Sequence, residues 1–399
     1  MVYGKNSSEL KERFKREVIA LLKPRYEKFK GQSICIYGDS IYGRTIKRIL
    51  EEIDIQAEIK CFINSFHDDS VATIVDDISE LSPELALNKY NDAQIVIASD
   101  YSLEIKQTIK KIKGNIDNVI DVSSVAYGGI YEKMLRYYYF GKSDFTSEMD
   151  VVGDIQDWFN YYGQIKQNGQ FSLLEKELLD YFDDSVSKET FKSITDFYLT
   201  GNIQKLIGSR ASTPQYYSKD YFDISENETF IDCGAYNGDT VSAFIRYSQN
   251  KFKKIIAIEP DVNNFKKLKE NVKAENIDVI NAVVADSCGY ASFNLTGGRG
   301  ARISDSSGVF KIKQIDLDSL SNEHPSFIKM DIEGAEISAL KGAQKIIREY
   351  KPKLAICVYH RPQDLFEIPL FVKKLNPDYK IKLRKHTNGP LESVLYAYT

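Results

Sequence analysis

From about residue 216 to the end, short apolar runs alternate with amphipathic stretches, and this alternation restricts the chain more than any other feature. "TFIDC", "IIAIE", "VINAVV", "FIKMD" and "LAICVY" read as strands. After the first, second, fourth and fifth come helical patterns such as "FKKLKENV" and "AEISALKGAQKII". Strand followed by helix, repeated, builds a parallel sheet with helices laid over it. The final segment, "YKIKLRKHTNGPLESVLYAYT", holds two alternating runs around Asn388-Gly389, a pair that favours a hairpin turn. Five parallel strands closed by an antiparallel hairpin predict an α/β fold with a seven-strand, doubly wound, Rossmann-like sheet over residues 216–399.

Two further regions precede it. Residues 33 to about 125 alternate "SICIYG", "GRTIKRILEEI", "AEIKCFI", "AQIVIAS", "LEIKQTIKKI" and "NVIDV". With the helical pattern at the start, they predict a smaller Rossmann-like domain over 1–125. Residues 126–215 carry aromatics at helical spacing, as in "IYEKMLRYYYF", "IQDWFNYYGQI" and "LLEKELLDYF", and predict a helical connector. These rings, with Trp158 the only tryptophan, are expected to be packing surface, and their number suits a homo-oligomer contact. The net charge of -4 supplies no basic field, which argues against nucleic acid or an anionic membrane surface as partner. No apolar run approaches the roughly 20 residues of a membrane span, and the charged opening helix has no cleavage pattern, so a cytoplasmic location is expected. Five scattered cysteines lack metal-ligand spacing and are expected to be buried, reduced thiols.

The stretch "TFIDCGAYNGDT" carries the first chemical signal. Its strand delivers Asp232 to the carboxyl edge of the sheet, Gly234, Ala235 and Gly238 line the turn, and Asp239-Thr240 can cap the next helix. A dinucleotide loop would place glycines at 234, 236 and 239, where amides reach a pyrophosphate; the last two positions are Tyr236 and Asp239. An acid there suits a cation, such as the ammonium and sulfonium of S-adenosylmethionine. Glu259 closes the next strand, where a carboxylate can accept both hydroxyls of an adenosine ribose. A nicotinamide cofactor would share Glu259 but not the glycine spacing. Asp286 either faces the adenine or is a plain turn acid.

The segment "KMDIEGAE" follows the fourth strand, so Asp331 and Glu333 are expected to face a transferred methyl group. Methyl transfer from a sulfonium requires an acceptor oxygen held in line and helped to lose its proton. His360, at the end of "LAICVYH", is a candidate base, with a hydrogen-bonded structural role as the alternative. Asp331, Glu333 and Glu336 also suggest a metal, but acids in a first helical turn explain the cluster, and none is expected. The insertion "LTGGRGARISDSSG", residues 295–308, reads either as a lid bringing Arg299 or Arg302 to an anionic acceptor or as a hairpin loop.

Together, "FIDCGAYNGDT", "IIAIEPDVNNFKKLKENV" and "FIKMDIEGAEISALKGAQKIIREYKPKLAI" resemble the FkbM family of S-adenosylmethionine-dependent methyltransferases. The resemblance spans roughly 216–399 and is most specific in "KMDIEGAE". It implies cofactor contacts at Asp232, Gly234, Gly238 and Glu259, a wall between cofactor and acceptor at "IKMDIEGAE", and O-methylation of a small molecule, sugar or glycan. In the amino-terminal unit Gly38 and Gly43 keep dinucleotide spacing, but Ser40 replaces the middle glycine and Asn64 replaces a ribose-binding acid. A docking or scaffold role is therefore expected of it. The rival readings are a nicotinamide oxidoreductase using the Gly38 loop and a non-catalytic nucleotide-binding scaffold.

Overall fold

In the computed structural model, residues 3–39, 41–99, 102–122, 135, 138–139, 155–293, 310–387, 389 and 391–399 are described. They divide into two units: residues up to 139 with 155–156 and 201–203, and residues 157–200 with 204–399. The insertion at 295–308, most of the aromatic run at 130–140, and Asn388 and Ser40 lie outside the described residues.

In the first unit, β1 (Ser33–Tyr37), β2 (Glu58–Ile63), β3 (Thr73–Val75), β4 (Ile78–Leu81), β5 (Gln94–Ile97) and β6 (Val119–Asp121) form one sheet in the order 3-4-2-1-5-6. Every pair is parallel except β3 with β4. The loop after β1 fits tightly beneath the helix Ile41–Ile53: a Cβ on Gly43 would stand 1.8 Å from the Gly38 carbonyl oxygen. Only a residue without a side chain allows that approach. Asn64, past the end of β2, donates from Nδ2 to Glu80 at 2.6 Å and to Asp39 at 3.1 Å. An amide already tied to two acids thus stands where a ribose-binding carboxylate would.

The second unit is built on β7 (Thr229–Cys233), β8 (Lys254–Ile258), β9 (Ile277–Ile280), β13 (Phe327–Met330), β14 (Lys353–Cys357), β15 (Lys380–Lys385) and β16 (Ser393–Tyr398). They lie in the order 15-16-14-13-7-8-9, seven strands with the last two forming the antiparallel edge. Chain order reverses between β7 and β13, the place where open α/β sheets leave a crevice for ligands. The helices Asp239–Tyr247, Val262–Asn271, Glu336–Lys341, Gln344–Tyr350 and Asp364–Leu375 follow their strands as the sequence pattern requires.

Three expectations are corrected. The run "VINAVV" is not one strand: β9 ends at Ile280, and Val283–Val284 (β10) pairs with Phe310–Ile315 (β12) in a separate sheet that also holds Gly289–Phe293 (β11). The cause is Asn281, whose side-chain amide donates to the carbonyls of Glu259 and Pro260 at 2.9 Å and turns the chain away from the sheet. Asp239 is the first residue of its helix and not the cap, which is Gly238 in the left-handed conformation. Cys288 is exposed, unlike the buried Cys35, Cys61, Cys233 and Cys357, because it falls in the turn before β11.

The helices Ile155–Gln167, Gln170–Tyr181 and Ser185–Thr200 bring the aromatic stripes inward. Trp158 and Tyr162 both stack on Tyr198 with centroids 4.8 Å apart, and Phe366, from a helix of the sheet, packs on Tyr162 at 5.5 Å and Phe191 at 5.8 Å. These rings are core. Ser187 accepts the Leu383 amide and Asp184 pairs with Arg384, which fastens the last of these helices to β15. Burial alone would raise the Asp184 carboxyl, but Arg384 and Ser187 outweigh it and bring it to about 2. Trp158→Ala would remove one of the largest buried side chains, so we expect a loss of about 3–5 kcal/mol in urea unfolding.

Candidate active site

The carboxyl ends of β7 and β13 meet through a buried ion pair. Lys329 and Asp232 stand opposite each other in the parallel register, and Lys329 Nζ lies 3.0 Å from Asp232 Oδ1, with side-chain exposures of 1% and 0%. The same ammonium donates to the Gly234 carbonyl at 2.8 Å, and Thr240 donates its hydroxyl to Asp232 Oδ2. Burial alone would lower the Lys329 pKa, yet Asp232 and Asp331 raise it and keep the lysine charged. Burial pushes the Asp232 carboxyl upward against the pull of Lys329 and Thr240. Asp232 is thus engaged by its own protein on both oxygens.

The two loops beyond this pair touch directly. Gly234 has φ +81°, and a Cβ there would lie 1.9 Å from the Asp331 carbonyl oxygen, so no other residue fits. Ala235 is buried, and its amide, like that of Gly234, donates to the Ile258 carbonyl at 3.0 Å. Glu259, just past β8, accepts the Tyr236 amide on one oxygen and the Asp261 amide on the other, both at 2.9 Å. Burial outweighs those amides and raises its carboxyl to about 7. Asp232, Gly234, Ala235, Gly238 and Glu259 therefore belong to one edge. Asp286 lies in an exposed turn, where it accepts from Ser287.

Beyond β13, Asp331, Glu333 and Glu336 converge on His360, which lies three residues past the end of β14. Nδ1 donates to Glu336 Oε1 at 2.7 Å, while Nε2 is 3.3 Å from Asp331 Oδ1 and 3.6 Å from Glu333 Oε2. Glu336, fully buried at the start of its helix, also accepts the Ile332 amide at 3.1 Å. Glu333 takes up the left-handed conformation at φ +59°, which costs a residue with a side chain about 1–3 kcal/mol. Burial would depress the His360 pKa, but Glu336, Asp331 and Glu333 raise it well above the usual histidine range. Burial likewise opposes the ionised Asp331, yet His360, Lys329 and Tyr216 hold its carboxyl below the ordinary range.

Two residues of this site escape sequence reasoning. Tyr216 is buried at φ +67°, donates to Asp331 Oδ2 at 2.9 Å, and lays its ring 5.4 Å from Lys329 Nζ. Nothing in its local sequence signals this, since 115 residues separate it from Asp331. Lys329 did leave a trace: a charge inside the apolar run "FIKM" of a central strand requires a buried acid.

The family-model match assigns the class, the methyltransferases. Residues 232–379 match the family model of the methyltransferase FkbM domain. The protein is a methyltransferase, and its second unit carries an FkbM domain. Along its length it shares the fold of the crystal structure of methyltransferase FkbM from Methylobacillus flagellatus KT, at 21% identity, 99% coverage of both chains and a TM-score of 0.56. Looser overlaps join it to fibrillarin from Aeropyrum pernix with bound S-adenosyl-L-methionine (11% identity, 45% and 70% covered, TM-score 0.29). They also join it to precorrin-6y C5,15-methyltransferase from Geobacter metallireducens (10%, 48% and 93%, 0.29). No curated protein matches the sequence.

Lys329→Met would strand the Asp232 charge in the core and should cost about 3–5 kcal/mol. Adding Asp232→Asn, which keeps the bond to Thr240, should recover part of that loss in urea unfolding.

Proposed function

We propose that the second unit binds S-adenosylmethionine along the ends of β7 and β8 and transfers its methyl group to a hydroxyl oxygen of a small-molecule acceptor, with sugars and glycans as the first class to test. One observation supports this above the others: Glu259, a buried carboxylate just past β8, lies beside the Gly234–Gly238 turn and accepts the Tyr236 amide from it. Its oxygens can accept the two ribose hydroxyls, while the turn of Gly234, Ala235 and Gly238 is the segment that would run along the methionine portion. Asp232 contributes through Lys329 by fixing the shape of that loop. The cluster of Asp331, Glu333 and His360 forms the acceptor side, where it receives the hydroxyl and favours loss of its proton.

The amino-terminal unit serves as a Rossmann-like accessory domain, since Asn64 is already committed to Glu80 and Asp39. Among the described residues no helix is long and apolar enough to cross a membrane. We place the protein in the cytoplasm on the charge and patterning of its sequence.

S-adenosylhomocysteine is expected to raise the melting temperature and NAD to leave it unchanged. Ligand at a hundredfold over its dissociation constant contributes about 2.7 kcal/mol, a shift easily seen. Stabilisation by NAD alone would return the protein to the oxidoreductase reading.

Glu259 gives this binding a pH signature. Its folded pKa of about 7 exceeds the usual 4.5, so the folded protein keeps a proton that the unfolded chain releases earlier. Its contribution to stability therefore declines as pH rises from about 4.5 to about 7 and is level above that. Ribose hydroxyls donating to the carboxylate favour its charged form. Calorimetry at pH 6.5 in buffers of differing ionisation enthalpy should then show proton release on S-adenosylhomocysteine binding, and Glu259→Gln should abolish it.

His360→Asn and Asp331→Asn divide cofactor from acceptor. Turnover should fall by about 10² to 10⁴ while affinity for S-adenosylhomocysteine stays nearly constant. Near-normal turnover in both variants would remove the cluster from the chemistry.

A further inference from the structure

We propose that Asp331 Oδ1, Glu333 Oε2 and His360 Nε2 together hold a divalent cation on the acceptor side of the site. The inference rests on the reading of that edge given above and assigns its chemistry. The three atoms lie within 4.8 Å of one another. Nε2 stands 3.3 Å from the Asp331 oxygen and 3.6 Å from the Glu333 oxygen. Two donors bound to one ion at about 2.1 Å are about 3.0 Å apart at a right angle and about 3.4 Å apart at the tetrahedral angle. The observed separations are those of adjacent ligands slightly spread.

A second observation points the same way. The His360 side chain is fully buried, its Nδ1 is fixed by the Glu336 carboxylate, and its Nε2 makes no hydrogen bond although it faces two acids. A carboxylate on Nδ1 fixes the ring so that Nε2, once a cation displaces its proton, points its lone pair between the two acids, the arrangement found behind ligating histidines. Asp331 is oriented in parallel, because Tyr216 holds its Oδ2 and Oδ1 is left toward His360. Two of the three ligands are thus positioned by residues behind them. A charge cluster made only for folding has no need of that.

The donor set names the ion class. Two carboxylate oxygens and one imidazole nitrogen suit Mn²⁺, Fe²⁺ or Zn²⁺ better than Ca²⁺, which prefers oxygen alone. Three protein ligands leave positions open for an acceptor, and an oxygen pair such as a vicinal diol would fill two of them. A hydroxyl bound to the cation loses its proton more readily, and that proton passes to solvent. The oxygen then forms a bond to the methyl carbon as the carbon–sulfur bond breaks, with sulfur keeping the electron pair.

The test uses Mn²⁺ on the full-length protein after EDTA treatment and dialysis, without cofactor. One saturable site is expected, with an imidazole-nitrogen coupling in electron spin-echo spectra. Glu333→Gln and His360→Asn should weaken Mn²⁺ binding at least about 100-fold, and Glu336→Gln by about 10- to 100-fold. Glu226→Gln, at an exposed pair with Lys251, should leave it unchanged. If His360→Asn fails to fold, the spin-echo spectrum and Glu333→Gln decide. No saturable binding, equal affinity in all variants, or no nitrogen coupling would overturn the proposal and leave a proton as the only charge on His360. S-adenosylhomocysteine binding to the metal-free protein reads the cofactor proposal separately, so either can fail without the other.

Discussion

The buried pairing of Lys329 with Asp232 is the constraint on which the site depends. Each residue sits on a central strand, opposite the other in register, and neither is reached by solvent. A buried charge without its partner costs several kcal/mol, so the pair ties the ends of β7 and β13 together wherever the chain folds at all. Both loops that form the edge begin within two residues of it. Lys329 also takes the Gly234 carbonyl, and Gly234 in turn packs on the Asp331 carbonyl oxygen. Two loops that could have moved independently are held as one surface.

On that surface, charge is distributed unevenly. On the β7 and β8 side, Asp232 is neutralised internally and burial raises the Glu259 carboxyl to about 7, so this side carries little net charge. On the β13 and β14 side, three carboxylates surround a single imidazole. Like charges this close repel unless a cation lies between them. The imidazole proton meets that demand in part, and a divalent cation would meet it more fully. One edge therefore combines a nearly neutral region with a strongly acidic one.

The aromatic helices act at a different level. Trp158, Tyr162, Tyr198, Phe191 and Phe366 form a continuous cluster of stacked, tilted and edge-on rings that joins residues 158–198 to the helix Asp364–Leu375. That helix follows the loop carrying His360, and Arg361 in the loop is held by Asp364 through both its backbone amide and its guanidinium. Burial, together with Glu336, raises the Asp364 carboxyl to about 6, with Arg361 opposing. Packing remote from the chemistry thus reaches the residue after His360.

The sequence by itself determined the seven-strand sheet with its terminal hairpin, because a side-chain period of two and a helical period of 3.6 leave distinct apolar patterns. It also determined that Asp232, Glu259, Asp331 and His360 reach one edge, since each lies at or just past the end of a strand whose position in the sheet follows from the alternation. It could not foresee that "VINAVV" breaks, because the cause is the Asn281 side chain reaching carbonyls more than twenty residues earlier in the chain. Nor could it show that Asp232 is answered by Lys329 or that Tyr216 holds Asp331. Those contacts join residues 95 or more positions apart in the chain, and a hydrogen bond or ion pair depends on distance in space, which the tertiary structure alone decides.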